Sequence, residues 1–239
     1  MFCSSRFSSI YAQVPDYSLD HWMESEFDQK STQFFKLLTL QLNHSQIAYS
    51  PSDHRVGIGF STRTGHGIEN NELFFLSGKQ GIFPVFDGSV WISPNLRIKG
   101  SYAGIPAGSD VVIFTGFGLD IFLNGGKLEN QYWLVNIQRG CLEGMDDFFL
   151  KTIGVGLFRG VNYPNGSGWW LGLQSNSYSA GVHVHYEDNE VYRKRLKGDV
   201  SSLKWGVSRN IGSGLSIDGE IGIHFKFISV MLGIHKIIR

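Results

Sequence analysis

The chain contains no run of roughly 18 or more apolar residues, so no helix in it is apolar enough over its length to cross a bilayer. Cysteine is nearly absent: Cys3 and Cys141 are the only two. That count excludes a disulfide framework, and the lack of a Cys-x-x-Cys pair argues against a cysteine-based metal site. Both are read as incidental thiols, Cys3 in a tail and Cys141 in a loop over residues 139–145. Charge is also scarce. Charged residues make up 18% of the chain, with 21 acidic and 21 basic side chains and a formal net charge of zero. Soluble domains usually carry roughly 25% charged residues. No overall field attracts nucleic acid or anionic lipid, and nucleic acid is not expected as a partner. No Pro-rich linker or block of like charge divides the 239 residues. The expected organisation is an N-terminal tail and helix over residues 1–50, then one β-domain over residues 51–239.

Glycine and aromatic residues are plentiful, with 30 glycines and 14% aromatics. The apolar residues recur with period 2. From Leu215, every second residue is Leu215, Ile217, Gly219, Ile221, Ile223 and Phe225, with Ser216, Asp218, Glu220, Gly222 and His224 between. Successive strand side chains point to opposite faces, so each such segment is a strand with one greasy face. The same alternation runs through Val56–Phe60, Gly88–Ile92, Val111–Leu123, Trp133–Ile137, Ile153–Leu157, Trp169–Leu173, Val182–Tyr186 and Leu203–Val207. Apolar parity flips after Phe225 to Ile228, Val230, Leu232 and Ile234, which requires a turn or bulge near Phe225–Phe227. Asn124-Gly-Gly126 and the stretch Asn162–Gly168 are strong turn signals. Ten to twelve strands are predicted.

Residues 28–42 differ, with few glycines and with Phe34, Leu37, Leu38 and Leu42 at helical spacing. They predict one amphipathic helix that plugs or caps a barrel mouth or lies on the membrane surface. Residues 8–12 followed by Gln13 resemble the end of a signal peptide, although no apolar core of roughly 7–15 residues precedes them.

Glycines such as Gly57, Gly59, Gly116, Gly118, Gly154, Gly156, Gly172, Gly206 and Gly222 fall on the polar side of the strands. On a solvated sheet Gly costs backbone entropy and packs nothing, whereas inside a narrow barrel it makes room for long side chains. Aromatics at strand ends (Tyr102, Trp133, Trp169, Trp170, Tyr178, Tyr186 and Trp205) suit interfacial girdles. These features predict a closed antiparallel up-and-down transmembrane β-barrel with its apolar face outward. From Arg55 to the C-terminus the chain resembles uncharacterised bacterial outer-membrane β-barrel proteins. The resemblance is in texture: a short helical lead-in, then Gly-rich alternating strands. It departs at the C-terminus, where such barrels usually end in an aromatic residue and this chain ends His235-Lys-Ile-Ile-Arg239.

The resemblance implies a monomer in the bacterial outer membrane, with the lipid bilayer and small solutes or lipids as partners. The expected role is non-enzymatic: a narrow pore, a transporter of small solutes or lipids, or a structural surface protein. Arg55, Arg97, Lys99, Asp218 and Glu220 are expected in the lumen, forming a charge network with His224. His183 and His185, with Glu187, share one strand face and could suit zinc or copper, but no fourth ligand is identifiable. They are read as polar lumen or loop-end residues, with no metal and no cofactor. The basic run Tyr192–Lys197 reads as an exposed loop or strand end. The alternative is a soluble periplasmic or extracellular barrel, holding an apolar ligand on the face led by Phe60, Phe117 and Ile221. A weaker third reading is a rim-sited lipid-modifying enzyme using His183 or His185.

Overall fold

The structure is a computed structural model, and it describes residues 24–44, 56–68, 83–107, 110–124, 130–144, 148–186 and 189–238. One helix, α1 (Glu24–Leu42), precedes ten strands. These are β1 (Val56–Gly67), β2 (Phe83–Ser93), β3 (Leu96–Ala107), β4 (Asp110–Asn124), β5 (Gln131–Glu143), β6 (Phe148–Asn162), β7 (Gly168–Tyr186), β8 (Asn189–Gly212), β9 (Leu215–His224) and β10 (Phe227–Ile238). Each pairs antiparallel with its sequence neighbours, and β1 closes the barrel on β10. The expected parity flip is the hairpin turn Phe225-Lys226 between β9 and β10. Cys141 lies within β5 rather than in a loop.

Following the pairing once around the barrel from Arg209 of β8 returns to β8 at Lys197, a stagger of 12 residues. Ten strands with that stagger tilt by roughly 40° and close at a backbone radius of about 10 Å. An α-helix with its side chains is about 10–12 Å across, so it fits inside only where the wall residues are small or absent. Glycine supplies that space. A Cβ on Gly65 would lie 2.7 Å from Leu37 Cδ1 of α1, and one on Gly206 would lie 2.2 Å from the Trp170 ring.

β1 begins and β10 ends at the same rim, here the near rim, which also carries the β8–β9 turn. There Ser213 (φ 52°) and Gly214 (φ 73°) both adopt positive φ. Two successive positive φ values match the twist of the flanking strands in a two-residue hairpin. At the far rim β7 and β8 extend furthest, at 19 and 24 residues.

Outward positions are apolar across the middle of the wall: Ile153, Val155 and Leu157 on β6, Leu171 and Leu173 on β7, and Leu203 and Trp205 on β8 are all at least 43% exposed. Inward positions there are polar or glycine. The Phe60 and Phe117 side chains are also exposed, so the face they lead is the outer wall and does not enclose an apolar ligand. Two of the expected girdle aromatics, Trp170 and Tyr178, instead point inward and are buried.

Candidate functional site

The candidate site is the lumen, and α1 occupies its far half. Asp28 near the helix start is paired with Lys194 of β8 at 2.5 Å, close to the far rim. From there the helix runs inward, and every residue from Leu38 to His44 is buried. A helix buried on all sides must have a wall around it, and the inward residues of the far half are accordingly apolar. Phe34, Phe35, Leu38 and Leu42 pack with Phe83, Val85, Phe114, Phe148, Leu150, Tyr178 and Val182. Phe34 and Phe35 meet Phe148 edge-on at 5.6 and 5.2 Å, a geometry aromatic quadrupoles favour. α1 and β1 thus start at opposite rims.

The last turn of a helix leaves carbonyls without intrahelical donors. Here wall cations supply them: Arg63 Nη1 donates to Leu42 O at 2.5 Å, and Lys204 Nζ donates to Asn43 O. Cations at a helix C-terminus are also favoured by its dipole. Gln41 Nε2 donates to Arg63 O at 3.2 Å, and Thr152 Oγ1 to Asn43 Oδ1 at 3.3 Å.

Each of these cations has a carboxylate partner. Arg63 Nη2 donates to Asp87 at 3.1 Å, and Asp87 also accepts from Ser61 at 2.6 Å. Glu220 is the hub on the other side. It accepts from Lys204 Nζ at 3.0 Å, from Trp170 Nε1 at 3.1 Å and from His44 Nδ1 at 2.9 Å. Lys204, Glu220 and His44 are fully buried at the side chain, so this network joins α1 to β7, β8 and β9 out of contact with solvent.

The near half holds a second hub. Asp120 accepts from Arg97 Nε and Nη2 at 2.9 and 2.5 Å and from Asn136 at 2.6 Å, and Lys99 Nζ lies 3.1 Å away. The Arg97 guanidinium also sits over Trp91 and Phe122, at 5.4 and 5.5 Å from the ring centres. Phe122, Tyr132, Leu134, Phe158 and Trp170 fill the lumen beside it. His235 Nε2 lies 3.2 Å from Asp218 Oδ2. Asp87, Arg97, Lys99 and His235 are among the residues lining a small cavity between β1, β2, β3 and β10.

Arg97, Lys99, Asp218 and Glu220 therefore all face the lumen: Arg97 and Lys99 against Asp120, Glu220 against Lys204 and His44, and Asp218 beside His235. His224 sits apart near the far rim, its Nδ1 accepting from Lys226 N at 3.2 Å. Arg55 lies outside the described residues, as do the signal-like segment and the side chains of His185 and Glu187. His183 differs from expectation. Its neighbours Ala180 and Val182 point inward and are buried, so His183 lies on the outer face and is half-buried. The inward polar residues Arg63, Asp87, Asp120, Lys204 and His44 were not singled out by the sequence. Asp120 and Lys204 did stand on the polar side of their strands, which was the available signal. Among the described residues no group of three or more His, Cys, Asp or Glu side chains could hold a metal ion.

Chemically, the far half of the lumen is filled by α1, and the buried cations sit against carboxylates: Arg63 on Asp87, Lys204 on Glu220, and Arg97 and Lys99 together on Asp120. No protein-family model and no curated protein matches the sequence. Among solved structures the chain is similar to Ail, the attachment invasion locus protein of Yersinia pestis (11% identity, TM-score 0.37, covering 77% of this chain and 97% of that one). It is also similar to the KdgM porin (7% identity, TM-score 0.42, 77% of this chain and 99% of that one). A third is the translocator domain of the autotransporter NalP from Neisseria meningitidis (11% identity, TM-score 0.39, 89% of this chain and 96% of that one).

Proposed function

We propose that this protein is a monomeric, non-enzymatic barrel of the bacterial outer membrane, held shut at rest by its own N-terminal helix. Passage of small solutes or lipids would require α1 to move. The apolar outer wall supports a bilayer as the surrounding medium, because in water that wall would leave side chains such as Leu173 (66% exposed) uncovered. An even number of strands is the rule for bacterial single-chain barrels and supports the outer membrane.

The observation that carries the gated reading is the way α1 is held. Its aromatic face packs on the far-half wall, but its C-terminal end is fastened by a few polar contacts from Arg63, Lys204 and Glu220. Such contacts hold a single position and can be exchanged for water when the helix shifts. This is a plug with a defined seat.

A disulfide between Leu37→Cys and Gly65→Cys tests this, in a chain with Cys3 and Cys141 replaced by Ser. Leu37 Cγ lies only 3.3 Å from where a Gly65 Cβ would be, within reach of a disulfide. In planar bilayers the oxidised protein should be silent and the reduced protein should show openings. Equal conductance in both states would show that α1 is not the gate. Silence in both would favour the structural surface role, for which the tightly filled lumen also speaks.

A further inference from the structure

The net charge of zero conceals an uneven distribution on the outer wall. On β5 the outward apolar run ends at Ile137, and the next outward residue is Arg139. On β6 it ends at Ile153, and the next is Lys151. On β8 it ends at Leu203 and, past Ser201 and Asp199, reaches Lys197 and Arg195. All four cations are exposed. The segment read from sequence as a basic loop or strand end is thus a strand whose alternate cations point outward.

The register gathers these side chains. Lys151 pairs with Ser179, and Ser179 pairs with Lys197, so the two lysines flank Ser179 at about 10 Å, two strand spacings apart. Arg195 donates Nε to Ser179 Oγ at 3.2 Å and pairs with Gly181, which pairs in turn with Phe149. The Lys151 ammonium lies 5.4 Å from the centre of the Phe149 ring. Among the described residues two carboxylates share this face: Glu143 accepts from Cys141 Sγ at 2.9 Å, and Asp199 accepts from Ser177 Oγ at 2.5 Å. The near rim is different. Among the described residues its outward cations Arg159, Arg209 and Lys236 stand on alternate strands, with Arg159 bonded to Gln131 and Lys236 to Ser213 O. These described near-rim cations do not share neighbouring strands, whereas those of β5–β8 cluster.

We propose that the far-rim outer wall of β5–β8 binds a phosphorylated lipid headgroup, with the phosphate between Lys151, Arg195 and Lys197 and the acyl chains on Ile137, Ile153 and Leu173. The cations begin where the apolar run ends on β5 and β6, which is the profile of an anionic amphiphile. A soluble polyanion would use only the charged half. Arginine offers paired donors to phosphate oxygens and lysine a mobile point charge. Beside hydrocarbon these contacts are screened less than on an open surface. The proposal rests on the membrane reading above, but not on the gating of α1.

The test is native mass spectrometry of the full chain in detergent, titrated with dioctanoyl phosphatidic acid, with dioctanoylglycerol (the same chains without phosphate) and with inorganic pyrophosphate. Phosphatidic acid should bind, and dioctanoylglycerol should not. Lys151→Gln/Arg195→Gln/Lys197→Gln should weaken binding roughly 10-fold or more, as expected for three partly solvated charge contacts. Arg159→Gln/Arg209→Gln should leave it unchanged, and Asp199→Asn should strengthen it. Heat-dependent gel migration reports whether each variant is folded. If the triple variant does not fold, Arg195→Gln alone should still weaken binding. Undiminished binding by the folded triple variant, or by Arg195→Gln alone, overturns the site. Equal binding of dioctanoylglycerol overturns the phosphate, and pyrophosphate binding as tight as the lipid's overturns the lipid in favour of a soluble polyanion. A chain that stays folded and soluble without detergent overturns the membrane reading itself.

Discussion

Replacing Glu220 by Ala should be among the most damaging single changes in the chain. Glu220 is buried and accepts hydrogen bonds from Lys204, Trp170 and His44. Its removal leaves the Lys204 ammonium, fully buried at the side chain, without a carboxylate. Breaking a buried pair from one side costs about 3–5 kcal/mol, because the remaining charge keeps its desolvation penalty and loses the attraction. The double variant Glu220→Ala/Lys204→Met removes that orphaned charge. It still deprives Asn43 O of its Lys204 donor, a loss of about 1–3 kcal/mol. The double variant should therefore be more stable than Glu220→Ala alone, a non-additive cycle of the kind contacting residues give. The assay is urea unfolding of the detergent-refolded protein followed by tryptophan fluorescence, to which Trp170 contributes from within the network. A cost below about 1 kcal/mol for Glu220→Ala, or a double variant no better than the single one, would refute the claim that this charge cluster is buried and coupled.

Other consequences are equally open to measurement. Gly206→Ala would place a Cβ 2.2 Å from the Trp170 ring, and forcing that ring aside should cost about 1–3 kcal/mol in the same assay. Gly88→Ala meets nothing within 4 Å and should be close to neutral. Leu173→Arg should destabilise the protein in vesicles by about 2–4 kcal/mol if that position faces hydrocarbon. Ser177→Arg, two outward positions further along β7, should cost much less, and equal effects would place the apolar belt elsewhere. At the β8–β9 turn, Ser213→Gly relieves a positive φ and should gain up to about 1 kcal/mol, while Gly214→Val should lose more than that.

The alternation of the strands was legible because it is local. Arg97, Lys99, Asp218 and Glu220 could be assigned to the polar side from their neighbours alone, and the structure turns all four inward. Their partners could not. Asp120 meets Arg97 because β3 and β4 pair in one register, and Lys204 meets Glu220 because β8 and β9 do. Register is a property of two strands, and no single segment encodes it in readable form.

His183 shows where the local rule itself inverts. Across the middle of the wall the apolar residues of each strand point out, so Val182 was expected to face lipid and His183 the lumen. In the far half α1 brings Phe34, Phe35 and Leu38 into the interior, and wall residues such as Phe83, Phe114, Phe148 and Val182 turn their apolar side towards it. The same reasoning explains Tyr178, which belongs to the helix seat and not to a girdle.

The sequence alone pointed to an antiparallel barrel of alternating strands and favoured an apolar outer wall over an apolar cavity. Period-2 patterning, turn chemistry and glycine on the polar face are each written within a few residues. Chain closure settled the rest: ten strands with a 12-residue stagger, the amphipathic helix inside the barrel, and which charges meet there. Those outcomes depend on the width of the closed cylinder and on contacts between residues as far apart as His44 and Glu220, which local pattern does not constrain.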